Sequence, residues 1–539
     1  MTNMNIQLLA FISFIPAFAF IITAIVSWFQ PGLRPNLVKK MGIVSALISI
    51  IIAVLISFLA IQNGLIESSF EVLDKIGFTG RLDSVSVIMF GMIALLSYIV
   101  MRFSLNYLDG DTNQGAFLGR MAATIASVQL FVLSGNLVLL YISWILTSVS
   151  LHRLLVFYKD RPRAIIAARK KFIMARLADA CLLVAFVLLY NQFNTGNLEV
   201  IFQELKSSIS SNQPIEGMEV IALLIATAAL LKSAQFPTHG WLIEVMETPT
   251  PVSALLHAGL LNAGPFLIIR MAFVMEATST ASILLIILGG FTALFASVVF
   301  LTQTSVKTAL GYSSVAHMGF SLMTCGLGVY PAAMLHLVAH SFYKAHSFLS
   351  SGSVIDTLRT SKISSSVREG NIFKIFIGII LALIVYTAFA TFWGLDLKRD
   401  IALVTIGAII IMGLSRLFTS AIDSAASFTL IIKATLLALL VATAFFLLES
   451  GAHHLIASQI PELITPSHYE LIIICVILFV FGAVTFIQIA SPLFSNRPAY
   501  QALAIHIRNG LYVNTLFDRI VRALYSHNYE TLKRNKKLN

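Results

Sequence analysis

The sequence carries few charged side chains for its length. Only 11% of its 539 residues are Asp, Glu, Lys or Arg, whereas soluble globular proteins carry about 25%. At the same time 58% of the residues are hydrophobic and the mean hydropathy is +0.88. A soluble chain of this length would divide into several domains with polar surfaces. The composition therefore excludes that class and predicts a membrane protein.

Cysteine and the motifs of soluble enzymes are also scarce. The three cysteines, Cys181, Cys325 and Cys475, lie far apart in apolar runs, so they predict neither a disulfide framework nor a metal or redox site. The sequence has no glycine-rich phosphate loop, no dinucleotide-binding glycine pattern, no CxxC pair and no GxSxG nucleophile motif. We therefore expect no enzymatic activity, cofactor or metal in this chain. Energy would come from an ion gradient or from a partner subunit.

Long apolar runs alternate with short polar loops, which is the pattern of membrane-spanning helices. The first run, Ile6–Trp28, is too long for a signal peptide and has no basic residue before it, so we interpret it as a span. The sequence thus predicts an all-α, polytopic membrane protein with about fifteen spans. They are placed at 6–28, 41–63, 83–107, 117–134, 137–158, 172–192, 218–246, 249–273, 281–302, 308–328, 330–356, 373–394, 400–418, 425–449 and 471–493.

Basic residues concentrate in alternate loops and in the C-terminal tail, and the intervening loops are acidic or neutral. Because Lys and Arg mark cytoplasmic loops, we expect the N-terminus outside and the C-terminus in the cytoplasm. The chain is expected to lie in a bacterial inner membrane. Lys398 and Arg399 are the exception, since they fall on the acidic side. The net charge of +11 is explained by these loops and does not indicate nucleic-acid binding.

The tail after Pro498 differs from the spans. Residues 499–525 mix apolar positions with Arg508, Arg519 and Arg522, which is typical of an amphipathic helix. Such a helix lies on the membrane lipid or against a partner protein, and the sequence leaves both open.

Lys232 is the sharpest signal inside a predicted span. An ionisable group at mid-membrane costs about 2.5–3.5 kcal/mol, so one that persists usually faces the bundle interior and serves a pathway. Pro237 follows five residues later and lacks the N–H that a continuous helix needs, which predicts a broken helix beside the lysine. A buried lysine can exchange a proton near neutral pH. The alternative is a structurally paired lysine.

His336, His340 and Lys344 follow one another at steps of four residues, so they share one face of a helix. Three titratable groups on a buried face favour a proton relay. A purely structural role is the first alternative, and a zinc site is the weaker one, because the sequence places no carboxylate nearby. His257 lies in a span rich in small residues and is interpreted as part of the same relay, with a merely hydrogen-bonded histidine as the alternative.

Other polar residues have two interpretations each. Arg176 and Asp179, at i and i+3 on one helix, are either a structural ion pair or a pair that sets the local field. Glu244 and Glu247 are either cytoplasmic proton acceptors or charges at a loop edge. Lys307 could line the bundle or be an ordinary cytoplasmic lysine.

The stretches around these residues resemble the antiporter-like subunits of respiratory complex I and of multisubunit Na+/H+ antiporters. The resemblance runs from about Leu105 to Ser353 and rests on LKSAQFPTHGWLIEVMETPTPVSALLHAGLLNAGPFLI, TQTSVKTALGYSSVAHMGFSLMTCGLG and HLVAHSFYKAHSFLSSGSVI. It implies paired inverted five-helix repeats, each with a broken helix, and a hydrated central axis for protons. The residues that it assigns to that axis are Lys232, His257, Lys307, His336, His340 and Lys344. Lys398 is a candidate for the lysine of the second broken helix.

One departure from complex I concerns the carboxylate that pairs with the central lysine. Complex I subunits have glutamate after the matching tryptophan, whereas this chain has Ile145 after Trp144. Two segments instead resemble the DabB family, the membrane subunits of two-component DAB inorganic-carbon complexes. They are the motif IEVMETPTPVSALLHAG and the tail segment HIRNGLYVNTLFDRIVRAL. That resemblance implies a large soluble DabA-like partner, similar to a zinc carbonic anhydrase, whose CO2 hydration is driven by cation flow.

Together these features divide the chain into N-terminal spans (1–105), an antiporter-like core (106–372), C-terminal spans (373–495) and a basic cytoplasmic tail (496–539). The favoured hypothesis is a proton-conducting subunit of a CO2/bicarbonate-accumulating complex. The alternative is a subunit of a respiratory, hydrogenase or Na+/H+ antiporter complex. A third hypothesis, a scaffold that anchors an enzyme and conducts nothing, predicts that Lys232→Ala leaves function intact.

Overall fold

A computed structural model describes residues 10–73, 76–158, 161–211, 215–352, 372–396, 400–423, 428–462, 468–494, 496–521 and 523. The chain is a bundle of packed helices, which confirms the predicted all-α class. Helices form because the bilayer interior has no water to satisfy backbone groups, so each span must bond its own N–H and C=O groups.

The helices are α1 (Ile15–Val26), α2 (Asn36–Asn63), α3 (Ser84–Tyr107), α4 (Gln114–Val132), α5 (Leu137–Leu155), α6 (Pro162–Phe193), α7 (Leu198–Ser211), α8 (Met218–Lys232), α9 (Gly240–Glu244), α10 (Thr250–Ala258), α11 (Ala263–Arg270), α12 (Ala272–Glu276), α13 (Ser279–Thr302), α14 (Val306–Gly326), α15 (Tyr330–Leu349), α16 (Ile372–Trp393), α17 (Ile401–Asp423), α18 (Phe428–Ile456), α19 (His468–Phe494) and α20 (Pro498–Arg508).

Ten helical segments of the described chain are long and apolar enough to cross a membrane, so the chain is a multi-pass membrane protein. Two shorter apolar helices lie at Phe11–Val26 and Ile401–Ser415. Helices α14 and α15 and the broken segment α8–α9 are not among the ten. The total of fifteen spans stays a prediction.

A β-hairpin that the sequence analysis did not predict joins α2 to α3. Strand β1 (Ile66–Leu73) pairs antiparallel with β2 (Ile76–Leu82), with Ile66 opposite Leu82. The sequence predicts only an acidic loop in this segment. Its short alternation of apolar and polar residues is typical of a strand, but it is brief beside the apolar runs that flank it. We call this end of the bundle the hairpin face.

The opposite end of the bundle carries α20 and residues 510–521, and we call it the tail face. The predicted amphipathic segment 499–525 is not one continuous helix there. A 3₁₀ turn at Gly510–Tyr512 separates α20 from a second helical piece at 513–521. Leu511 and Tyr512 have positive φ angles of 52° and 60°, which ends α20.

Two helical segments near the middle of the bundle are interrupted. The predicted break at Pro237 is present, since α8 ends at Lys232 and α9 begins at Gly240. The segment predicted as one span at 249–273 is also broken, between α10 and α11, around Gly259. The two breaks touch, because Ser233 Oγ donates a hydrogen bond of 3.3 Å to the Leu261 carbonyl.

The described helices form two main hydrophobic cores. The larger core joins α1 to α15, and the smaller one packs α16 to α19 against the sides of α13, α14 and α15. Helices α13 and α14 approach closely, since a Cβ at Gly289 would lie 2.7 Å from the Gly319 carbonyl oxygen. From Ile372 to Phe494 no second broken helix occurs within the described residues, and Lys398 lies outside them.

Candidate functional site

Lys232 lies buried at the end of α8, where the first helix is broken. Its Nζ donates hydrogen bonds to Ser148 Oγ (2.6 Å), Thr147 Oγ1 (3.2 Å) and the Trp144 carbonyl (3.1 Å), all on α5. The ammonium also lies 4.0 Å from the Trp144 ring centroid, which favours the positive charge. Hydroxyls, a carbonyl and an aromatic face thus hold the lysine, and none of its hydrogen-bond acceptors among the described residues is a carboxylate.

Two charged groups of α6 approach the same place. Lys171 Nζ donates to the Ser148 carbonyl at 2.7 Å, so two lysines share one serine. Arg176 and Asp179 form the ion pair predicted from their spacing, at 2.6 Å. The Asp179 side chain is 6% exposed and lies close enough to Lys232 to attract its charge. Asp179 is therefore the carboxylate that faces Lys232 in the absence of a glutamate at position 145.

His239 lies in the break after Lys232, directly before α9 begins at Gly240. Its ring is buried, with centroids 6.0 Å from the Tyr312 ring and 5.3 Å from the Phe295 ring. The His239 ring is also close enough to Lys170 to interact electrostatically with its positive charge. The break therefore places a titratable ring between Lys232 and the tail face, which the sequence analysis did not single out.

Three histidines meet between α14 and α15. His317 Nδ1 and His336 Nε2 are 3.2 Å apart, and the His317 and His340 ring centroids are 5.0 Å apart. The His336 and His340 rings are nearly parallel at 6.1 Å, as expected for residues four apart on one helix face. His317 thus bridges two residues of the predicted relay from the neighbouring helix.

Lys344 and His257 lie on the tail side of these histidines. Lys344 Nζ donates to the Leu310 carbonyl at 3.2 Å and is fully buried. The His257 ring stacks on Phe348 with centroids 4.4 Å apart and is close enough to interact electrostatically with Lys344. Helices α10 and α15 therefore bring the predicted relay residues of two spans together.

A polar bridge connects the two broken helices to α15. Asn262, in the second break, donates to Ser341 Oγ at 2.7 Å and to the Ala258 carbonyl at 3.1 Å. A small cavity lies between this bridge and the residues that hold Lys232; Thr147 and Asn262 are its polar lining residues, and the rest of its lining is apolar. We refer to the line from Lys232 through this cavity to His257, the three histidines and Lys344 as the central axis.

Several buried polar atoms of the central axis have no hydrogen-bond partner in the described part of the chain. They include both ring nitrogens of His257 and of His340, and Asn262 Oδ1. Buried polar atoms are almost always paired with protein or with ordered water. The axis is therefore suited to hold water between its titratable groups.

The remaining predicted residues lie near the tail face. Glu244 forms a 2.7 Å ion pair with Lys170, so it is more than a charge at a loop edge. Lys307 donates to Thr250 Oγ1 at 3.3 Å, at the start of α14, and so lies near the bundle end rather than beside Lys232. The side chain of Glu247 lies outside the described part.

The hairpin face carries a second polar region. Asp83, before α3, pairs with Arg81 at 2.6 Å and with Arg270 at 2.5 Å. Glu276, at the end of α12, is half-buried near Glu470, and its partial burial followed by that like charge raises the pKa of Glu276 to about 7. Glu276 is thus the candidate proton-exchanging carboxyl at this face.

Spacing along one chain could not find several of these residues. His317 lies within the quoted GYSSVAHMGF motif and could have been noticed, but its contact with His336 depends on helix packing. Thr147 and Ser148 are ordinary hydroxyl residues in an apolar run, and Lys170 and Lys171 look like cytoplasmic loop residues. Within the described residues, no group of three or more His, Cys, Asp or Glu could hold a metal ion.

Comparison with protein families gives two matches. Residues 134–368 match the family described as NADH:quinone oxidoreductase/Mrp antiporter, TM. Residues 73–118 match the N-terminal family of NADH-ubiquinone oxidoreductase (complex I) chain 5. The larger match contains α5 to α15 and therefore every residue of the central axis.

Among individual proteins, the chain is 35% identical to the probable inorganic carbon transporter subunit DabB2 of Halothiobacillus neapolitanus over 447 residues. The alignment covers 82% of this chain and 79% of that protein. It is 41% identical over 286 residues to the probable inorganic carbon transporter subunit DabB of Hydrogenovibrio crunogenus, covering 53% of this chain and 55% of the relative. The chain therefore aligns with only about half of the second relative.

The structural comparison agrees on the fold. The Mrp complex from Dietzia sp. DQ12-45-1b contains a chain that aligns with a TM-score of 0.60 at 22% identity, covering 95% of this chain and 61% of that one. At that identity the likeness shows a shared antiporter-like fold.

Proposed function

Since the chain belongs to the DabB family of inorganic carbon transporter subunits, within the larger complex I and Mrp antiporter-like family, we propose that it conducts protons for an inorganic-carbon-accumulating complex. The observation that carries the proposal is the central axis. Buried ionisable groups in a membrane are costly and are rarely kept without a transport role. Here they follow one another from the bundle middle, at the broken helix, to α15.

The proposed route begins at the hairpin face, which we assign to the outside. Glu276 takes up protons there and passes them towards Tyr330, which starts α15 and lies close enough to interact electrostatically with Glu276. The three histidines and Lys344 carry them along α15, and water beside Asn262 connects them to Lys232. The protons leave at the tail face, near Glu244, on the cytoplasmic side of a bacterial inner membrane.

Lys232 is the central proton-holding group of this route. Its neutral acceptors, Thr147 and Ser148, stabilise the ammonium without neutralising it. Asp179 supplies a more distant negative charge, and Arg176 offsets part of it. A lysine without an adjacent carboxylate can release its proton without separating from a tight ion pair. That arrangement suits downhill flow, for which the membrane potential supplies about 2.3 kcal/mol per charge per 100 mV.

We further propose that this flow drives CO2 hydration in a soluble, DabA-like partner that resembles a zinc carbonic anhydrase. This chain would supply the proton path and the membrane anchor, and the partner would supply the zinc chemistry. The tail face is the proposed docking side, because a cytoplasmic partner meets the membrane subunit there.

The test is a pull-down of the tagged full-length chain from native membranes, followed by mass spectrometry and zinc analysis. The proposal predicts one large soluble protein that contains stoichiometric zinc. Recovery of a set of small membrane subunits or of redox proteins, without a zinc protein, would refute the inorganic-carbon assignment. That result would move the chain to the respiratory or antiporter complexes.

A further inference from the structure

The C-terminal tail reaches back to the broken helix and contributes two side chains to a polar cluster. Lys170 Nζ donates to Glu244 Oε1 at 2.7 Å and to Asn514 Oδ1 at 2.8 Å, and it forms an ion pair with Asp518. Asn514 Nδ2 donates to Glu244 Oε1 at 2.7 Å. We call these four residues the tail-face cluster.

The residues of the tail-face cluster are packed closely into the fold. The Lys170 side chain is 0% exposed, although the charge of a lysine normally stays in water. Gly240 begins α9 directly beneath the tail, and a Cβ there would overlap the Asn514 side chain. The tail is also held by Arg508, which donates to Thr304 Oγ1 at 3.1 Å and accepts at its carbonyl from Gln303 at 3.1 Å.

The charges of the cluster leave room for one proton. Lys170 carries one positive charge, and Glu244 and Asp518 together carry two negative charges when both are ionised. Two carboxylates that share one site favour uptake of a proton by one of them. Glu244 Oε2 is buried and has no hydrogen-bond partner in the described part of the chain.

The cluster is continuous with the central axis in two ways. His239, in the break after Lys232, is close enough to Lys170 to feel its charge, and Tyr312 stands in the same relation to Glu244. Lys171, next to Lys170 in α6, bonds the carbonyl of the residue whose hydroxyl accepts from Lys232. Lys232 and the tail-face cluster are thus linked through Ser148 and α6.

We propose that the tail-face cluster is the proton-exchange station at the cytoplasmic end of the axis, and that the tail completes it by supplying Asn514 and Asp518. The inference rests on the proposed proton conduction. Asp518 shares the exchanged proton with Glu244, and Asn514 is a positioning residue that orients the Glu244 carboxylate. The tail is then part of the conduction path in addition to any role as a surface anchor.

The experiment measures proton flux into liposomes that contain the purified full-length chain, with a pH-sensitive dye inside and a potassium diffusion potential. Asp518→Asn keeps the size of the side chain but removes the spare negative charge. We expect the flux to fall by at least about a hundredfold, the scale of losing a positioned proton-transfer group. Asp518→Glu should recover most of the flux. Asp109→Asn is the matched control, because Asp109 is a 75%-exposed carboxylate at the same face.

The outcomes separate this inference from the proposed function. If Lys232→Met abolishes the flux and Asp518→Asn leaves it unchanged, the station is wrong and proton conduction stands. If Lys232→Met also leaves the flux unchanged, the conduction proposal itself fails. A tail that only anchors the chain would make Arg508→Gln as harmful as Asp518→Asn. The station predicts instead that only Asp518→Asn changes how the flux depends on the pH at the tail face.

Discussion

Replacing Asp83 by Asn should loosen the hairpin face. The Asp83 side chain is 0% exposed and lies between two guanidiniums, with Arg81 Nε at 2.6 Å and Arg270 Nη1 at 2.5 Å. Asn keeps the shape and can still accept the 2.8 Å hydrogen bond from the Ser86 N–H that caps α3. The substitution removes the negative charge, and it places an amide NH2 where Asp83 Oδ2 accepts hydrogen bonds from Arg81 and Arg270.

The expected loss in the free energy of unfolding depends on which arginine is left without a carboxylate partner. Arg81 retains Glu199 at 2.8 Å and Glu67 at 3.3 Å, so its charge stays compensated. Arg270 is 2% exposed and has Asp83 as its carboxylate partner among the described residues. Leaving one buried charge without its partner costs about 3–5 kcal/mol, and we expect that loss in the free energy of unfolding. Adding Arg270→Gln should recover part of it, because the orphan charge is then gone.

The pH dependence has a definite sign. Burial by itself would raise the pKa of Asp83, but the charges of Arg270 and Arg81 outweigh it and lower that pKa below its ordinary value. A carboxyl whose pKa is lower in the folded state stabilises the fold above its unfolded pKa of about 3.9 and loses that effect as the pH falls further. The difference between wild type and Asp83→Asn should therefore be full at pH 7 and shrink below about pH 4.

The assay is thermal and denaturant unfolding of the purified chain in detergent at pH 7 and at lower pH, with hydrogen exchange of the hairpin amides as a local readout. A variant within about 0.5 kcal/mol of wild type, the range of ordinary surface substitutions, would refute the reasoning. Equal destabilisation by Asp83→Asn alone and by the double variant would show that the orphan arginine is not the cause.

Three further changes test the path itself, each by proton flux in liposomes. Ser148→Ala removes the 2.6 Å hydrogen bond that Ser148 Oγ accepts from the Lys232 ammonium. Because a hydrogen bond to a charged group is worth about 1.5–3 kcal/mol, the proton flux should fall about tenfold or more. An unchanged flux would contradict the role assigned to Ser148. His317→Phe keeps an aromatic ring but removes the link to the histidines of α15, and it should slow flux more than His506→Phe, a control at a histidine outside the axis. Glu276→Gln should abolish the part of the pH dependence centred near pH 7 at the hairpin face, since burial and Glu470 raise the pKa of Glu276 to about 7; retention of that dependence would exclude Glu276 as the entry group.

The sequence predicted those parts of the site that depend on local geometry. His336, His340 and Lys344 share a face because four residues is close to one helical turn. The break after Lys232 was predictable because proline lacks a backbone donor. The ion pair of Arg176 with Asp179 follows from the same helical spacing. Each of these predictions needed only residues within two or three turns of one another.

The rest of the site depends on contacts between distant segments. Nothing local to Asp518 or Asn514 shows that they bond Lys170, some 344 residues away in the case of Asn514. The hairpin was missed because its two short strands lie between long apolar spans, which dominate any average over a window. The missing carboxylate at Ile145 was visible in the sequence, but the approach of Asp179 to Lys232 depends on how α6 packs against α8.

The most direct test of the central claim is proton flux through the purified chain in liposomes, compared between wild type and Lys232→Met. The account predicts a wild-type flux that follows the imposed membrane potential, and a Lys232→Met flux no greater than the leak of protein-free liposomes. A Lys232→Met chain that folds, inserts and conducts as fast as wild type would contradict the account, because the buried lysine at the broken helix would then have no part in moving protons.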